Sequence, residues 1–452
     1  MAPARFGTDG VRGVANADLT AELAQAIGRA AARVLAAPAF VVGRDTRRSG
    51  PLLQAAFSAG LATEGSDVID LGVLPTPGVA YLAERRGLPG AVISASHNPF
   101  GDNGIKLFGP GGTKLAAAVE EAVEAELEAL LADPARTPAR PIGAGVGWLV
   151  AEPGAVEDYR AHLLAVPDGR RLDGLSVVLD CANGAASTVA PGLFEALGAE
   201  VRTIGCDPDG VNINEACGST HPGALGEAVV AARADLGLAF DGDADRLLAV
   251  DHTGAVADGD VLLALFAVDL ADRGELAGQA VVVTVMTNLG FRMAMAERGI
   301  AVRETPVGDR HVLAALEAEG LALGGEQSGH IVFRHRATTG DGILTGVVLA
   351  DLVARSGRSL ADLSAGLVTP VPQVLVNVPV REPGRLAAAA AVWRTVAEVE
   401  AELGDGGRVL LRPSGTEPLV RVMVEAGTAD QATEAARRLC VAVEGALGPA
   451  AG

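Results

Sequence analysis

The chain has 452 residues, 49% of them hydrophobic, only 3% aromatic, and a formal net charge of −20. That charge repels nucleic acid and anionic membranes and leaves no basic tract for counterion release, so neither is expected as a partner. No apolar run reaches the roughly 18 residues of a transmembrane candidate, and residues 1–5 lead into structure-like sequence without a signal-peptide pattern, which points to a cytoplasmic protein.

At roughly 100 to 200 residues per domain, the length predicts three or four domains. With so few aromatics the core must be built from Ala, Val and Leu, as in α/β proteins with Val-rich parallel strands. Apolar positions Leu23, Ile27, Ala31 and Val34 predict a helix over 19–35. A strand at 40–42, a helix over 52–63, a strand at 68–71, a helix over 79–86 and a strand at 90–93 follow, ending at Ser94-Ala95-Ser96. Such β-α-β-α-β alternation is the pattern of a mainly parallel sheet. After an acidic helix over 115–131 and a Pro- and Gly-rich linker at 133–147, the pattern recurs. Strand 176–180, a helix to about 197, strand 201–204, a helix over 227–233 and strand 236–240 run into Asp241. A third round has strand 280–285, helix 289–298, strand 302–305, helix 312–319 and strand 321–323, and it delivers Gly324 to His330. Beyond a second linker at 369–372, a smaller α+β unit reads strand, long helix, strand 409–411, strand 419–424, helix, with 448–452 expected to be disordered. The predicted domains are 1–150, 151–254, 255–369 and 370–452. Ligands of open α/β sheets sit outside the carboxyl ends of the strands, which is where each round places a polar, Gly-bearing loop.

Those loops hold the chemistry. Ser96-His97-Asn98-Pro99 offers a hydroxyl on a turn, although Ser, Asn and Pro also make ordinary turns. His97 does not form a serine-hydrolase pair with Ser96, since neighbours on an extended chain point apart and no GxSxG elbow is present. Asp241, Asp243 and Asp245 alternate, so an extended segment would aim three carboxylates at one hard cation such as Mg²⁺. An EF-hand is excluded, because its sixth and twelfth positions would be Arg246 and His252. Three carboxylates crowded at a strand end repel one another, so Asp243→Asn is expected to raise stability in the absence of metal. The chain has only two lysines, Lys106 and Lys114, which marks Lys106, ten residues after Ser96, as more than surface decoration. Glu326 and Ser328 suit vicinal hydroxyls, and His330 suits proton transfer. Arg412, Ser414, Gly415 and Thr416, with Arg421 on the following strand, make an oxyanion cradle, and Arg12 sits on an N-terminal Gly-rich loop. Four cysteines, Cys181, Cys206, Cys217 and Cys440, form no CxxC pair and support neither a zinc site nor a disulfide framework. Together the serine and the aspartates read as a metal-assisted phosphoryl-transfer centre. A metal-dependent sugar phosphatase and a non-catalytic sugar-phosphate sensor stay open as alternatives.

FGTDGVRG at 6–13, SASHNPFGDNGIK at 94–106, DGDADR at 241–246, GEQSGH at 325–330 and RPSGTEP at 412–418 resemble, in order and spacing, the motifs of the α-D-phosphohexomutases. Within that superfamily, NINEACGSTH at 212–221, VMTNLG at 285–290, VGDRHV at 307–312 and Gln327 most resemble the bacterial phosphoglucosamine mutases. Phosphomannomutase/phosphoglucomutase relatives, the runner-up reading, usually carry Met at the position of Gln327. The resemblance implies an α/β protein, three similar mixed α/β domains plus a smaller C-terminal α+β domain around a central active-site cleft. It implies a phosphoserine at Ser96, with one Mg²⁺ per subunit held by Asp241, Asp243, Asp245 and a phosphate oxygen on Ser96. Arg12, Lys106 and Arg246 would lie near the moving phosphoryl, with His97 beside it. Glu326 and Ser328 would hold sugar hydroxyls, His330 would move a proton, and Arg412, Ser414, Gly415, Thr416 and Arg421 would grip the idle phosphate. The implied substrate is a small amino-sugar phosphate, isomerised between its 6- and 1-phosphates through a 1,6-bisphosphate on the route to UDP-N-acetylglucosamine and cell-wall precursors. A homodimer is implied as well.

Overall fold

A computed structural model gives the fold and describes residues 10–133, 140–414 and 418–448. The chain separates into two compact units, Met1–Met286 with Ile300–Ala365, and Thr287–Gly299 with Gly366–Gly452. The first contains three mixed sheets built to one plan. In the first sheet, Ala39–Arg44 lies between its parallel neighbours Asp67–Val73 and Gly90–Ile93, and Asp102–Phe108 returns antiparallel beside Gly90–Ile93. In the second, Ser176–Asp180 lies between Glu200–Ile204 and Leu236–Phe240, and Leu247–Asp251 returns antiparallel. In the third, Ala280–Thr284 lies between Ala301–Thr305 and Leu323–Gly325, and Ile331–Phe333 returns antiparallel. Edge strands Val11–Val14 and Leu149–Ala151 extend the first sheet, and Val256–Ala257 extends the second.

The predicted α/β rounds are therefore present, each with an antiparallel fourth strand that the sequence pattern did not reveal. Residues 102–108 open on Asp-Asn-Gly, which reads as a turn, yet Val92 pairs with Lys106 and Ile93 with Ile105. The strand expected at 321–323 lies at Leu323–Gly325, and the acidic helix expected at 115–131 is Ala117–Ala132. Part of the predicted linker, 134–139, and the tail 449–452 lie outside the described residues. Among the described residues no helix is long and apolar enough to cross a membrane.

Small side chains set the packing, as the scarcity of aromatics requires. Helix Ala21–Leu35 starts on Thr20, whose hydroxyl accepts from Leu23 N at 3.2 Å, and it packs on helix Gly50–Thr63 at close range. A Cβ on Gly28 would fall 2.2 Å from the carbonyl oxygen of Phe57, and one on Gly60 2.2 Å from that of Gln25. Either substitution would force the two backbones apart. In the second unit, Gln373–Pro379, Leu419–Glu425 and Arg408–Pro413 form an antiparallel sheet with Leu419–Glu425 in the middle. Helices Ala390–Leu403 and Ala429–Leu447 complete its core with Val392, Val396, Val399, Leu439 and Val443. Helix Leu289–Glu297 falls in this unit, its Leu289 N donating to Glu425 Oε2 at 3.1 Å.

Candidate functional site

All three motif loops of the first unit occupy one topological position, the connection from the third parallel strand to the antiparallel fourth. They are residues 94–101, 241–246 and 326–330. Ser96 is buried at 1% exposure with φ of 52°, a left-handed conformation that is strained for a residue with a Cβ. Its Oγ donates to Asp241 Oδ2 at 2.5 Å and lies 3.3 Å from His97 Nδ1, while its N donates to Ser94 Oγ at 2.9 Å. Burial, followed by the charges of Arg246 and Arg12, pushes the His97 imidazole down to about 4, so it is neutral at physiological pH.

One oxygen from each of Asp241, Asp243 and Asp245 lies within 4.8 Å of the others, and all three residues are buried. A turn brings them together, with Ala244 at φ of 57° and its N bonded to Asp241 O at 3.0 Å. This corrects the expectation of an extended segment: the left-handed residue folds the loop back, and three carboxylates converge without strand alternation. Asp243 Oδ2 accepts from Thr76 Oγ1 at 2.7 Å and from Lys106 Nζ at 2.7 Å, and Lys106 also reaches Asp245 Oδ2 at 3.3 Å. Burial works to raise Asp243, but Lys106 beside it and the Thr76 hydroxyl hold its carboxyl well below the usual carboxylate range. Asp241 is driven the other way, by burial first and then by the charges of Asp245 and Asp243. Among the described residues, Asp243 Oδ1 and Asp245 Oδ1 are buried with no hydrogen-bond partner. Two enclosed carboxylate oxygens without a donor, beside a third carboxylate that resists ionising, fit a hard divalent cation and are costly without one.

Lys106 thus lies buried among the aspartates rather than on the surface. Arg12, on Val11–Val14, reaches Asn98 Oδ1 at 3.5 Å, and Arg246 Nε lies 3.8 Å from Asp245 Oδ1. The Glu326 loop stands beside the aspartate loop, since Leu247 N donates to Gly329 O and Gly342 N to Ala244 O, at 3.0 and 2.9 Å. Glu326 Oε1 accepts from Gly308 N at 3.1 Å, and Gln327 Nε2 donates to Asp258 Oδ2 at 3.2 Å. Ser328 Oγ is buried without a hydrogen-bond partner among the described residues, which leaves it able to bond a ligand. His330, only 3% exposed, makes no hydrogen bond through its ring among the described residues and has Nε2 3.7 Å from Asp309 Oδ2, which Lys114 Nζ also contacts at 2.5 Å. In the second unit, Arg412 and Arg421 sit directly opposite one another on neighbouring strands. Two guanidinium side chains in register are an arrangement suited to an anion. Ser414 follows the end of the same strand, while Gly415 and Thr416 lie outside the described residues.

The phosphoglucomutase/phosphomannomutase family is matched in four successive stretches: alpha/beta/alpha domain I at residues 3–132, domain II at 157–254, domain III at 258–371 and the C-terminal domain at 375–441. The chain belongs to that family. It is 54% identical to the phosphoglucosamine mutase of Streptomyces avermitilis and 55% identical to that of Streptomyces coelicolor, each across 98% of this chain and 99% of the relative. A phosphoglucomutase/phosphomannomutase family protein from Burkholderia thailandensis, 27% identical, superposes with a TM-score of 0.80 over 100% of this chain and 99% of its own. The Aspergillus fumigatus N-acetylphosphoglucosamine mutase, solved with GlcNAc-6P and magnesium, shares the fold with a TM-score of 0.68 at 20% identity, over 98% of this chain and 96% of its own. Three mixed α/β domains and a smaller C-terminal domain are the architecture of the family, as the sequence led us to expect.

Within this phosphohexomutase frame the structure adds residues that sequence reasoning passed over. Thr76 bonds both the carboxylate and the backbone of Asp243, the latter through Thr76 N to Asp243 O at 2.9 Å. Arg47 and Asn214 hold the backbone of the Ser96 loop, and Asp45 accepts from the Ser94 hydroxyl. One signal was legible for Asp45 and Arg47, which follow the carboxyl end of the central strand Ala39–Arg44, where α/β ligands gather.

Proposed function

We propose that the chain is a phosphoglucosamine mutase, an isomerase that interconverts glucosamine 6-phosphate and glucosamine 1-phosphate. The observation that carries this reading is the Ser96 hydroxyl bonded to Asp241 at 2.5 Å, beside two buried carboxylate oxygens that have no donor among the described residues. Whole-chain identity of 54% to curated phosphoglucosamine mutases supports the choice of sugar. Phospho-Ser96 gives its group to the free hydroxyl of the substrate, a glucosamine 1,6-bisphosphate forms, and after the sugar reverses its other phosphate returns to Ser96. Asp241, Asp243 and Asp245 would hold Mg²⁺, which when bound neutralises charge on the phosphoryl oxygens. Lys106 and Arg246 offset the same charge, and Arg12 adds to it from the loop side. Glu326 and Ser328 bind sugar hydroxyls, and His330 moves the hydroxyl proton. Arg412, Ser414, Gly415, Thr416 and Arg421 bind whichever phosphate is idle.

The division at 1–150, 151–254, 255–369 and 370–452 belongs to this reading, supported by four separate sheets and four matched stretches. So do a cytoplasmic location, supported by four free cysteines, and a homodimer, supported by the exposed apolar edge at Trp148 and Leu149. The test is incubation with glucosamine 6-phosphate, trace bisphosphate and Mg²⁺, followed by phosphorus NMR. Growth of the 1-phosphate signal is expected. Release of inorganic phosphate would assign a phosphatase, and an unchanged spectrum a sensor. Glucosamine and glucose phosphates differ only at C2, so one charge-assisted contact sets a preference of roughly 10- to 150-fold in kcat/KM. A glucose or mannose 1-phosphate value at or above that of glucosamine 1-phosphate leaves only the broader family activity.

A further inference from the structure

The turn Asp45-Thr46-Arg47-Arg48 has no part in the chemistry above, yet Arg47 is among the largest fully enclosed side chains, at 1% exposure. Its guanidinium gathers the backbone carbonyls of the Ser96 loop. Nη2 donates to Ser96 O at 2.9 Å and Asn98 O at 2.8 Å, and Nη1 donates to Asp102 O at 3.0 Å and to Pro99 O. Nε pairs with Asp45 Oδ2 at 2.8 Å, and that oxygen also accepts from Ser94 Oγ, the acceptor for Ser96 N. A second prong comes from the 212–221 segment beside the second sheet: Asn214 Nδ2 donates to Ser96 O at 2.9 Å and Asn98 O at 3.0 Å, the same two carbonyls.

Asn214 also marks where the serine and aspartate loops meet. It sits at φ of 59°, with its N bonded to Ala182 O at 2.9 Å, while Ala185 N donates to Gly242 O at 2.9 Å. A Cβ on Gly242 would fall 2.5 Å from Ser96 O and 3.0 Å from Asn214 Nδ2, so no residue larger than Gly fits between the loops. Left-handed residues concentrate at this junction, with Ser96, Ala182, Asn183, Asn214 and Ala244 all at positive φ. Strain of that kind persists only where surrounding bonds over-determine it. Ser96 O, bonded by both a guanidinium and a carboxamide, is such a point.

We propose that Arg47 and Asn214 are positioning residues for phosphoryl transfer, a carbonyl clamp that holds the strained Ser96 backbone so that Oγ stays registered on the aspartate loop. The proposal rests on Ser96 being the phosphoryl carrier. Displacing reacting atoms by about 1 Å costs on the order of 10²-fold in rate, whereas binding of the sugar phosphate uses other residues. A clamp therefore acts on kcat and spares KM.

Asn214 gives the cleaner test, because Arg47→Ala removes a buried charge from Asp45 and risks the fold. Asn214→Ala leaves every Arg47 bond in place and should lower kcat roughly 10- to 100-fold, with KM for glucosamine 1-phosphate within about twofold. Asn214→Asp keeps the size but faces two carbonyls with an acceptor, so it should be impaired at least as much. Single-turnover transfer from preformed phospho-Ser96 should slow by the same factor, with the folded fraction by circular dichroism unchanged. A kcat within twofold of wild type, a rise in KM at constant kcat, or a loss that follows the unfolded fraction overturns the clamp. Ser96→Ala run in parallel isolates the underlying reading: if it keeps wild-type turnover, the carrier assignment fails first and the clamp falls with it.

Discussion

Asp241 and Asp243 carry the same side chain two residues apart, and the structure gives their neutralisation opposite signs. The sequence alone suggested that Asp243→Asn would relieve repulsion and stabilise the metal-free protein. In the fold, Asp243 is the carboxylate with partners, Lys106 and Thr76 both at 2.7 Å, and Lys106 holds it ionised. Removing one member of a buried ion pair costs about 3–5 kcal/mol. Lys106 keeps Asp245 at 3.3 Å, and an amide oxygen at 243 can still accept, so we expect the charge-assisted part alone, about 1.5–3 kcal/mol. Asp241 is the carboxylate that resists ionising, through burial and its two neighbours. A group with a raised folded pKa costs stability above its unfolded value, near 3.9, increasingly until it ionises in the fold. Asp241→Asn should therefore match wild type near pH 4 and equal or exceed it at pH 8. The assay is thermal unfolding in excess chelator at both pH values, with Asp243→Asn several degrees below wild type at pH 8, taking roughly 2–4 °C per kcal/mol. Both variants should lose turnover when Mg²⁺ is supplied. An Asp243→Asn protein as stable as wild type, or an Asp241→Asn protein equally destabilised, would refute the assignment of Lys106 to Asp243.

Ser96→Ala should lower kcat on the order of 10²-fold or more, and intact mass should lose any phosphate carried by the wild type. Arg412→Ala should raise KM for the 1-phosphate and the 6-phosphate alike, by roughly 10- to 150-fold. An effect on one substrate alone would contradict a shared grip. Asp341, the buried N-cap of helix Gly342–Ser356, accepts from Tyr159 Oη at 2.8 Å and has its carboxyl pushed up by burial to about 6. Its cost is full above pH 6 and fades towards pH 4, so Asp341→Asn should gain on the order of 2–3 kcal/mol over wild type at pH 7.5 in urea unfolding, and the gap should close on acidification.

What the sequence made legible were features confined to one short window. Alternating aspartates, a hydroxyl turn and a lysine in a chain with only two each announce themselves locally, and all three meet in the fold. The residues it hid act at long range. Thr76 meets Asp243 across 167 positions, Asn214 meets Ser96 across 118, and no periodicity or motif spacing encodes such pairs. Asn214 did lie within a segment that set this branch apart, but a marker without geometry has no role attached. The antiparallel fourth strands were hidden for a different reason. Asp102–Phe108 opens on the turn-forming Asp-Asn-Gly, while Leu247–Asp251 and Ile331–Phe333 are largely apolar runs of only five and three residues, and pairing with the preceding strand is what reveals all three.

Those fourth strands explain why the chemistry sits where it does. A connection from a parallel strand into a helix is anchored on one side of the sheet, whereas here Phe240 pairs with Leu247 and Gly325 with Ile331. Both ends of the aspartate and Glu326 loops are thus pinned by adjacent ladder bonds across six and five residues, 241–246 and 326–330. Catalytic groups need placement to within about 0.5 Å, and short loops tied at both ends to a sheet supply it. The Ser96 loop spans eight residues, 94–101, between its strands, and is the longest of the three. A loop of that length has more conformations to lose, and it must also hold a left-handed serine. It is also the loop into which the protein drives a buried guanidinium from the 45–48 turn of its own sheet and a carboxamide from the 212–221 segment. The long loop carries the group that must not move, and Arg47 and Asn214 supply the restraint that its length takes away.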